Sequence, residues 1–272
     1  MEPIITSTKN PKIKQLLALQ QKSQERRRTG LFVVEGRREL EHCLAAGYEV
    51  ESLFVIDESE MPINAYYRQS SIINHQSSIF TVSPPVYERI AYRGSTEGIM
   101  AVVRERKLTL TELERIASEK GDAPLYVVLE RVEKPGNLGA VLRSADAAAA
   151  TAVIVCDPLT DLYNPNLIRA SIGACFTVPM VACSTEECIN FLKDSGVRIL
   201  TAQLQDSNLY YDTPMTGSTA IVMGTESTGL TQPWRDAADA HIYIPMLGQL
   251  DSLNVSVSAA ILLFEAVRQR KG

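Results

Sequence analysis

The stretch Leu125-Tyr126-Val127-Val128-Leu129-Glu130-Arg131-Val132-Glu133-Lys134-Pro135-Gly136-Asn137-Leu138-Gly139-Ala140-Val141-Leu142-Arg143 carries the strongest structural signal in this chain of 272 residues. Residues 125–129 form a short, continuous apolar run, the pattern of a strand buried on both faces. Lys134-Pro135-Gly136 reads as a turn. A helix is expected from Asn137, with Leu138, Val141, Leu142, Ala145 and Ala149 on its packed face. The same unit recurs downstream, with strands expected at 152–155, 197–201 and 220–223 and helical stretches between them. Strands buried on both faces and separated by helices specify an α/β fold, a parallel sheet with helices on both faces.

Working outward, the N-terminal hundred residues also alternate helix and strand. Residues 10–28 read as one helix, with Ile13, Leu16, Leu17 and Gln20 at helical spacing and Gly30 as its stop. Leu31-Phe32-Val33-Val34 reads as a strand, 37–46 as a helix carrying Leu40, Cys43 and Leu44, and 52–56 and 99–103 as strands. The charged stretches Arg104-Glu105-Arg106-Lys107 and Glu119-Lys120-Gly121-Asp122 interrupt this pattern, and between them a short helix is expected over 110–117. The length supports two domains. The expected division is a small α/β domain at 1–105, a linker at 106–122 and the parallel-sheet domain at 123–272.

Apolar residues make up 45% and charged residues 22% of the chain, values of an ordinary globular protein. The longest apolar runs, such as Ala259-Ala260-Ile261-Leu262-Leu263-Phe264, fall well short of the roughly 18–20 residues of a membrane span. Residues 1–10 lack the apolar stretch of a secretory signal, so a cytoplasmic location and no membrane partner are expected. The five cysteines, Cys43, Cys156, Cys175, Cys183 and Cys188, show no short repeated spacing and are expected as free thiols, mostly buried. His42, His75 and His241 lie far apart, and no metal centre is expected. The net charge of −5 argues against a basic nucleic-acid coat. Residues 1–40, however, hold nine Lys or Arg against four acids, which leaves −10 for the remainder. Such a segment either steers a polyanion or is a solvated helix surface.

Three segments carry candidate chemistry. In the first, 137–146, Asn137 and Arg143 follow a strand end, where open α/β sheets place ligands. A long arginine side chain on a helix leans toward the N-terminus, which would bring Arg143 toward Asn137. The plainer alternative makes Asn137 a helix cap and Arg143 a surface residue. The second is Gly224-Thr225-Glu226-Ser227-Thr228-Gly229 at a strand end, where glycine lets a ligand approach the backbone. There Glu226 is either an acid favoured by the helix dipole or an anchor inside a site. The third runs over Ile244-Pro245-Met246 and Ser252-Leu253-Asn254-Val255-Ser256-Val257, with Ser252 or Asn254 as the cap of a final helix. That helix has two apolar stripes. Val255, Ala259, Leu262, Leu263 and Ala266 form one; Val257, Ile261 and Phe264 form the other, which is available to a second subunit.

Together these segments resemble the three signature motifs of the SPOUT RNA methyltransferases, in the SpoU–TrmH branch of 2′-O-ribose methyltransferases. Asn-x-Gly-x-x-x-Arg lies at 137–143, Gly-x-Glu-x-x-Gly at 224–229, and Ile-Pro-Met with Ser-Leu-Asn-Val-Ser-Val within 244–257. The N-terminal half resembles the family's small ribosomal-protein-like substrate-binding domain through Phe32-Val33-Val34-Glu35-Gly36 and Thr96-Glu97-Gly98-Ile99. The chain departs from the pattern at Glu133-Lys134-Pro135-Gly136, where Asp-Pro is common, and at 147–150, which lacks the usual glycine.

The resemblance implies a deep C-terminal trefoil knot, S-adenosylmethionine as cofactor, RNA as partner with ribosomal favoured over transfer RNA, and a homodimer. By the same resemblance, Gly224, Ile244 and Leu253 line the adenine and ribose part of the cofactor site. Asn137 and Ser252 orient groups around the reacting centre, and Glu226 and Asn254 hold that shell. The arginine at position 143 is often called the base, but a guanidinium holds its proton too tightly for that role. Clamping a phosphate and stabilising charge on oxygen is the physically better assignment, and a phosphate contact that relays the proton is the equal alternative. Two competing readings are an oxidoreductase, which lacks its glycine fingerprint here, and a catalytically silent RNA-binding protein on the same fold.

Overall fold

The computed structural model describes residues 4–56, 77–92, 97–224 and 229–271. The chain divides into two compact units. One is formed by Met1–Arg106 with Leu162–Phe176, the other by Lys107–Asp161 with Thr177–Gly272.

The first unit contains α1 (Pro11–Gln21), α2 (Ser23–Thr29), β1 (Leu31–Glu35), α3 (Arg37–Ala45), β2 (Val50–Ile56), β3 (Ser78–Val82), α4 (Pro84–Ile90) and β4 (Ile99–Arg104). Its sheet has the order β1-β4-β2-β3, with β4 antiparallel to both β1 and β2, and β3 parallel to β2. The helix expected over 10–28 is two helices, because Lys22 is extended at φ −119° and ψ 110°. Arg26 holds this break. It is only 4% exposed, and its Nη1 donates to the carbonyls of Leu19 at 2.5 Å and Gln20 at 3.2 Å, satisfying acceptors that the end of α1 leaves open. Arg26 therefore belongs to the interior and is no part of a surface for polyanions. Arg28 pairs with Glu25 at 2.5 Å, which neutralises part of the remaining basic charge.

Leu162–Phe176 joins this unit through aromatic packing. Tyr163 stacks on Phe32 with centroids 4.3 Å apart, and its hydroxyl donates to the Arg106 carbonyl. The helix Pro165–Ser171 follows.

In the second unit, α5 (Leu110–Lys120) opens with a reciprocal cap between Thr109 and Glu112 and buries Leu113 in the core. Most of the stretch expected as linker at 106–122 is thus packed helix. The sheet strands are β5 (Leu125–Glu130), β6 (Ala152–Cys156), β7 (Met180–Cys183), β8 (Arg198–Ala202), β9 (Asn208–Leu209), β10 (Thr219–Met223) and β11 (Ala240–Tyr243). They lie in the order β7-β6-β5-β10-β8-β11-β9, and every described pairing is parallel. All residues of β5, β6 and β10 are buried, as their apolar runs required. Of the three strands the sequence did not reveal, β9 and β11 are short, half-buried and without such a run, and β7 is apolar but only four residues long and buried in part. The chain moves from β5 outward through β6 to β7 and returns on the other side through β8 and β10. This reversal opens a crevice at the carboxyl ends of β5 and β10.

The helices of this unit include α6 (Pro135–Ala147), α7 (Thr185–Asp194), α8 (Gln232–Ala237) and α9 (Val255–Lys271). In α6, Leu138, Val141, Leu142 and Ala145 are buried, whereas Ala149 is exposed beyond the helix end. In α9, Ala259, Leu262, Leu263 and Ala266 are buried. The second stripe stays open: Val257 is 46% and Phe264 49% exposed, and Ile261 is half-buried. No described helix is long and apolar enough to cross a membrane.

The cysteines are free, and the fold brings three of them together. Cys156 and Cys183 are cross-strand partners, and with Cys188 of α7 their sulfurs all lie within 4.8 Å of one another. Hydrogen bonds from the neighbouring thiols pull the Cys183 thiol below its ordinary range.

Candidate functional site

The crevice contains a cavity of about 570 Å³ whose wall includes Gly224, Ser252, Leu253 and Asn254, together with Gln203, Leu230 and Arg235. Gly224 follows β10, Gln203 follows β8, Ser252, Leu253 and Asn254 lead into α9, and Arg235 lies within α8. The Asn254 side chain caps that helix, its Oδ1 accepting from the Ser256 N–H at 2.9 Å and the Ser256 hydroxyl at 2.6 Å. Its Nδ2 meanwhile donates to Asn137 Oδ1 at 3.2 Å across 117 residues of sequence. Asn137 is not the cap of α6. That helix begins at Pro135, with Lys134 at the cap position, which places Asn137 in the first turn with its side chain tied to the start of α9.

Gly224 has no room for a side chain. A Cβ there would lie 2.6 Å from Leu230 Cδ2 and 3.0 Å from Leu230 Cα. Glu130, 2% exposed at the end of β5, fixes the chain beyond Leu230: it accepts from the Thr231 N–H at 2.9 Å and from the Thr231 hydroxyl at 2.5 Å. Arg143 is exposed on α6 and has no hydrogen-bond or ionic partner among the described residues. Neither Arg143 nor Ile244 is on the cavity wall. Ile244 is half-buried just beyond β11, and the neighbouring Ile242 carbonyl accepts from the Gln203 N–H at 3.0 Å. Glu226 lies outside the described residues.

Gln203, Leu230 and Arg235 are among the wall residues missed in the sequence. Among the described residues, Gln203 Oε1 and Arg235 Nε are buried polar atoms without partners. Such atoms are costly unless a ligand or water satisfies them. The only sequence signal for Gln203 is its place after an apolar strand, at the carboxyl edge where ligands bind. An unpaired acceptor, an unpaired cationic donor and a bare glycine backbone suit a ligand such as S-adenosylmethionine, which carries an exocyclic amine, ring nitrogens and a carboxylate.

The parallel sheet has its crevice at a switch point, and Gly224 and the Ser252-Leu253-Asn254 segment are on the wall of the cavity there, with Asn137 tied to that segment through Asn254. Residues 124–264 match the model of the SpoU rRNA Methylase family and residues 10–101 that of the MRM3-like substrate binding domain. The chain belongs to the SpoU rRNA methylase family. It is 29% identical over 260 residues to the 23S rRNA (guanosine(2553)-2'-O)-methyltransferase RlmP of Bacillus subtilis, covering 96% of this chain and 97% of that one. It is also 39% identical over 182 residues to the 23S rRNA (guanosine-2'-O-)-methyltransferase RlmB of Vibrio vulnificus, covering 66% of this chain and 73% of that one. Among solved structures, the AdoMet-bound rRNA methyltransferase from Sinorhizobium meliloti superposes with a TM-score of 0.86 at 28% identity, covering 98% of this chain and 97% of that one.

Proposed function

We propose that this protein is an S-adenosylmethionine-dependent 2′-O-ribose methyltransferase acting on ribosomal RNA. The observation that carries this reading is the Asn137–Asn254 bond beside the Gly224 cavity. It joins the first and third motif segments at the cavity over which the second begins. The RNA substrate and the cofactor are those of the Bacillus subtilis and Vibrio vulnificus relatives and of the AdoMet-bound Sinorhizobium meliloti neighbour.

When bound, S-adenosylmethionine would supply an electrophilic methyl group on a sulfonium, and the neutral thioether left behind needs no acid. The protein's task is to orient the ribose 2′-hydroxyl and make it a better nucleophile. In this reading Gly224 and Leu253 hold the nucleoside end of the cofactor, with Ile244 supporting the same wall from the end of β11. Gln203 Oε1 and Arg235 Nε supply an acceptor and a donor. Asn137 and Ser252 orient the reacting groups, Asn254 fixes Asn137, and Glu226 is assigned to the same supporting shell. Arg143 clamps the phosphate beside the target ribose and stabilises negative charge on the 2′ oxygen as its proton passes, through that phosphate, to solvent water. A deep trefoil knot in the last segments and a cytoplasmic location belong to the same proposal. Incubation with tritiated S-adenosylmethionine and total RNA tests it: label in ribosomal RNA is expected, and label in transfer RNA alone, or in none, would overturn it.

The assembly proposed is a homodimer that covers the Val257, Ile261 and Phe264 stripe, because an open apolar stripe beside a filled core stripe invites association. Phe264→Glu is expected to yield monomers in sedimentation velocity. The side chain is half exposed, so the fold itself should survive. A wild-type chain that sediments as a monomer, or a variant that keeps an unaltered dimer, would refute this interface.

A further inference from the structure

A second cavity, of about 220 Å³, lies wholly within the N-terminal unit, where β1 leads into α3. None of its wall residues belongs to the cofactor cavity. Part of the wall is flat and held in place. The Arg169 guanidinium lies 4.4 Å from the centroid of the Tyr92 ring. The Tyr92 hydroxyl donates to Asn166 Oδ1 at 3.0 Å, and the same oxygen accepts from Arg169 Nη2 at 2.8 Å. Tyr92 is nevertheless 51% exposed. A ring and a guanidinium already stacked and tied together lose little freedom when a further planar group joins them.

The rest of the wall is rich in acceptors. Gly36, at φ +103°, opens α3, and a Cβ there would meet Glu39 Oε2 at 2.7 Å and Glu97 Oε2 at 4.0 Å. The two carboxylates therefore converge on a point that glycine leaves open. Glu97 Oε2 accepts from the Arg37 N–H at 2.5 Å, and Glu39 Oε1 accepts from Arg38 Nη2 at 3.0 Å. Their other oxygens, Glu97 Oε1 and Glu39 Oε2, have no hydrogen-bond partner among the described residues. The carboxylates would repel a phosphate. A cation site is not built here either, since the group of three converging metal-ligand side chains among the described residues is the cysteine cluster.

Unpaired carboxylate oxygens beside an aromatic and guanidinium face match the way proteins hold an unstacked RNA base, by stacking and by its Watson–Crick edge. Guanine is the base that fits. It places two donors side by side, N1–H and the exocyclic amine, for which Glu97 Oε1 and Glu39 Oε2 are the two open acceptors, and its O6 suits Arg38 on the same wall. Adenine and cytosine set a ring-nitrogen lone pair next to their amine, and uracil has one donor between two carbonyls. We propose that this pocket binds a single-stranded guanine of the RNA, other than the nucleotide whose ribose is methylated, with Glu97 and Glu39 as the groups that select it. The proposal rests on the reading that the protein acts on RNA.

The test uses the full chain and fluorescein-labelled single-stranded pentaribonucleotides, uridine tracts with G, A, C or U at the centre, read by fluorescence anisotropy at low salt. The central-G strand is expected to bind roughly tenfold tighter than the other three, the order of discrimination a bidentate contact gives. Glu97→Gln should bring that preference within about twofold, because an amide meets one of guanine's donors with its own N–H. Tyr92→Ala should weaken all four strands by roughly tenfold, the order of one base–aromatic stack. S-adenosylmethionine affinity should be unchanged in both variants. Equal affinity of the wild type for the four strands would overturn the pocket, as would a guanine preference that survives Glu97→Gln. Methylation of ribosomal RNA separates this failure from that of the broader reading. If only the pocket is wrong, both variants methylate with the wild-type KM; if the enzyme reading is wrong, the wild type transfers no methyl group at all.

Discussion

Arg143→Ala is expected to lower methyl-transfer turnover by roughly two to three orders of magnitude, the scale of losing one group that stabilises developing charge on oxygen. Three features of the structure make the result decisive. Arg143 is exposed and without a partner among the described residues, so its removal should cost at most about 0.5 kcal/mol of stability. It is not on the wall of the cofactor cavity, so S-adenosylmethionine should bind the variant as it binds the wild type. It also lies on α6, the helix that carries Asn137, whose bond to Asn254 the substitution leaves in place. Arg143→Lys refines the test, because lysine keeps the charge and loses the planar fork. Rates near normal with lysine would assign the role to charge alone, whereas loss with both variants would assign it to bidentate geometry. Full activity of the alanine variant on ribosomal RNA would remove Arg143 from the mechanism.

Gly224→Val is expected to abolish S-adenosylmethionine binding in calorimetry. Alanine alone would place a Cβ 2.6 Å from Leu230 Cδ2, 2.9 Å from Leu230 Cγ and 3.0 Å from Leu230 Cα. Leucine's side chain can turn away, but its Cα can move only with the backbone, and Glu130 holds the adjacent Thr231 by two hydrogen bonds. The added branches must then occupy cavity space or displace the Leu230 wall. Overpacking of this kind costs about 1–3 kcal/mol, so thermal unfolding must show that the variant remains folded. Gly217→Ala serves as the control, since no atom lies within 4 Å of a Cβ at that position. A folded Gly224→Val variant with wild-type cofactor affinity would mean that the ligand does not approach this wall.

The sequence made the parallel sheet legible because β5, β6 and β10 are buried on both faces and spell this out as apolar runs. It made much of the site legible because Gly224, Ser252, Leu253 and Asn254 sit in motif segments at the ends of those strands and the start of the last helix. What it hid depends on contacts between distant residues. The Asn137–Asn254 bond spans 117 positions, and with Asn137 also a favoured capping residue, its local context pointed to the wrong role. Arg26 reads as one of three consecutive basic residues, yet it is buried because α1 ends just where its guanidinium can reach two carbonyls. Leu162–Phe176 carries no local mark of belonging with β1, since the stacking of Tyr163 on Phe32 is a tertiary event. Gln203 and Arg235 escaped notice for a similar reason: an orphaned polar atom exists only once the wall around it has formed.

Mapping 2′-O-methylated nucleotides in ribosomal RNA, by resistance to alkaline cleavage, from cells with and without the gene tests the central claim most directly. A ribose methylated at its 2′ oxygen lacks the nucleophile that cleaves the neighbouring phosphodiester. The account expects a position in ribosomal RNA that is protected when the gene is present, cleaved when it is absent, and protected again after complementation with the wild-type chain but not with Arg143→Ala. Identical maps with and without the gene would contradict it.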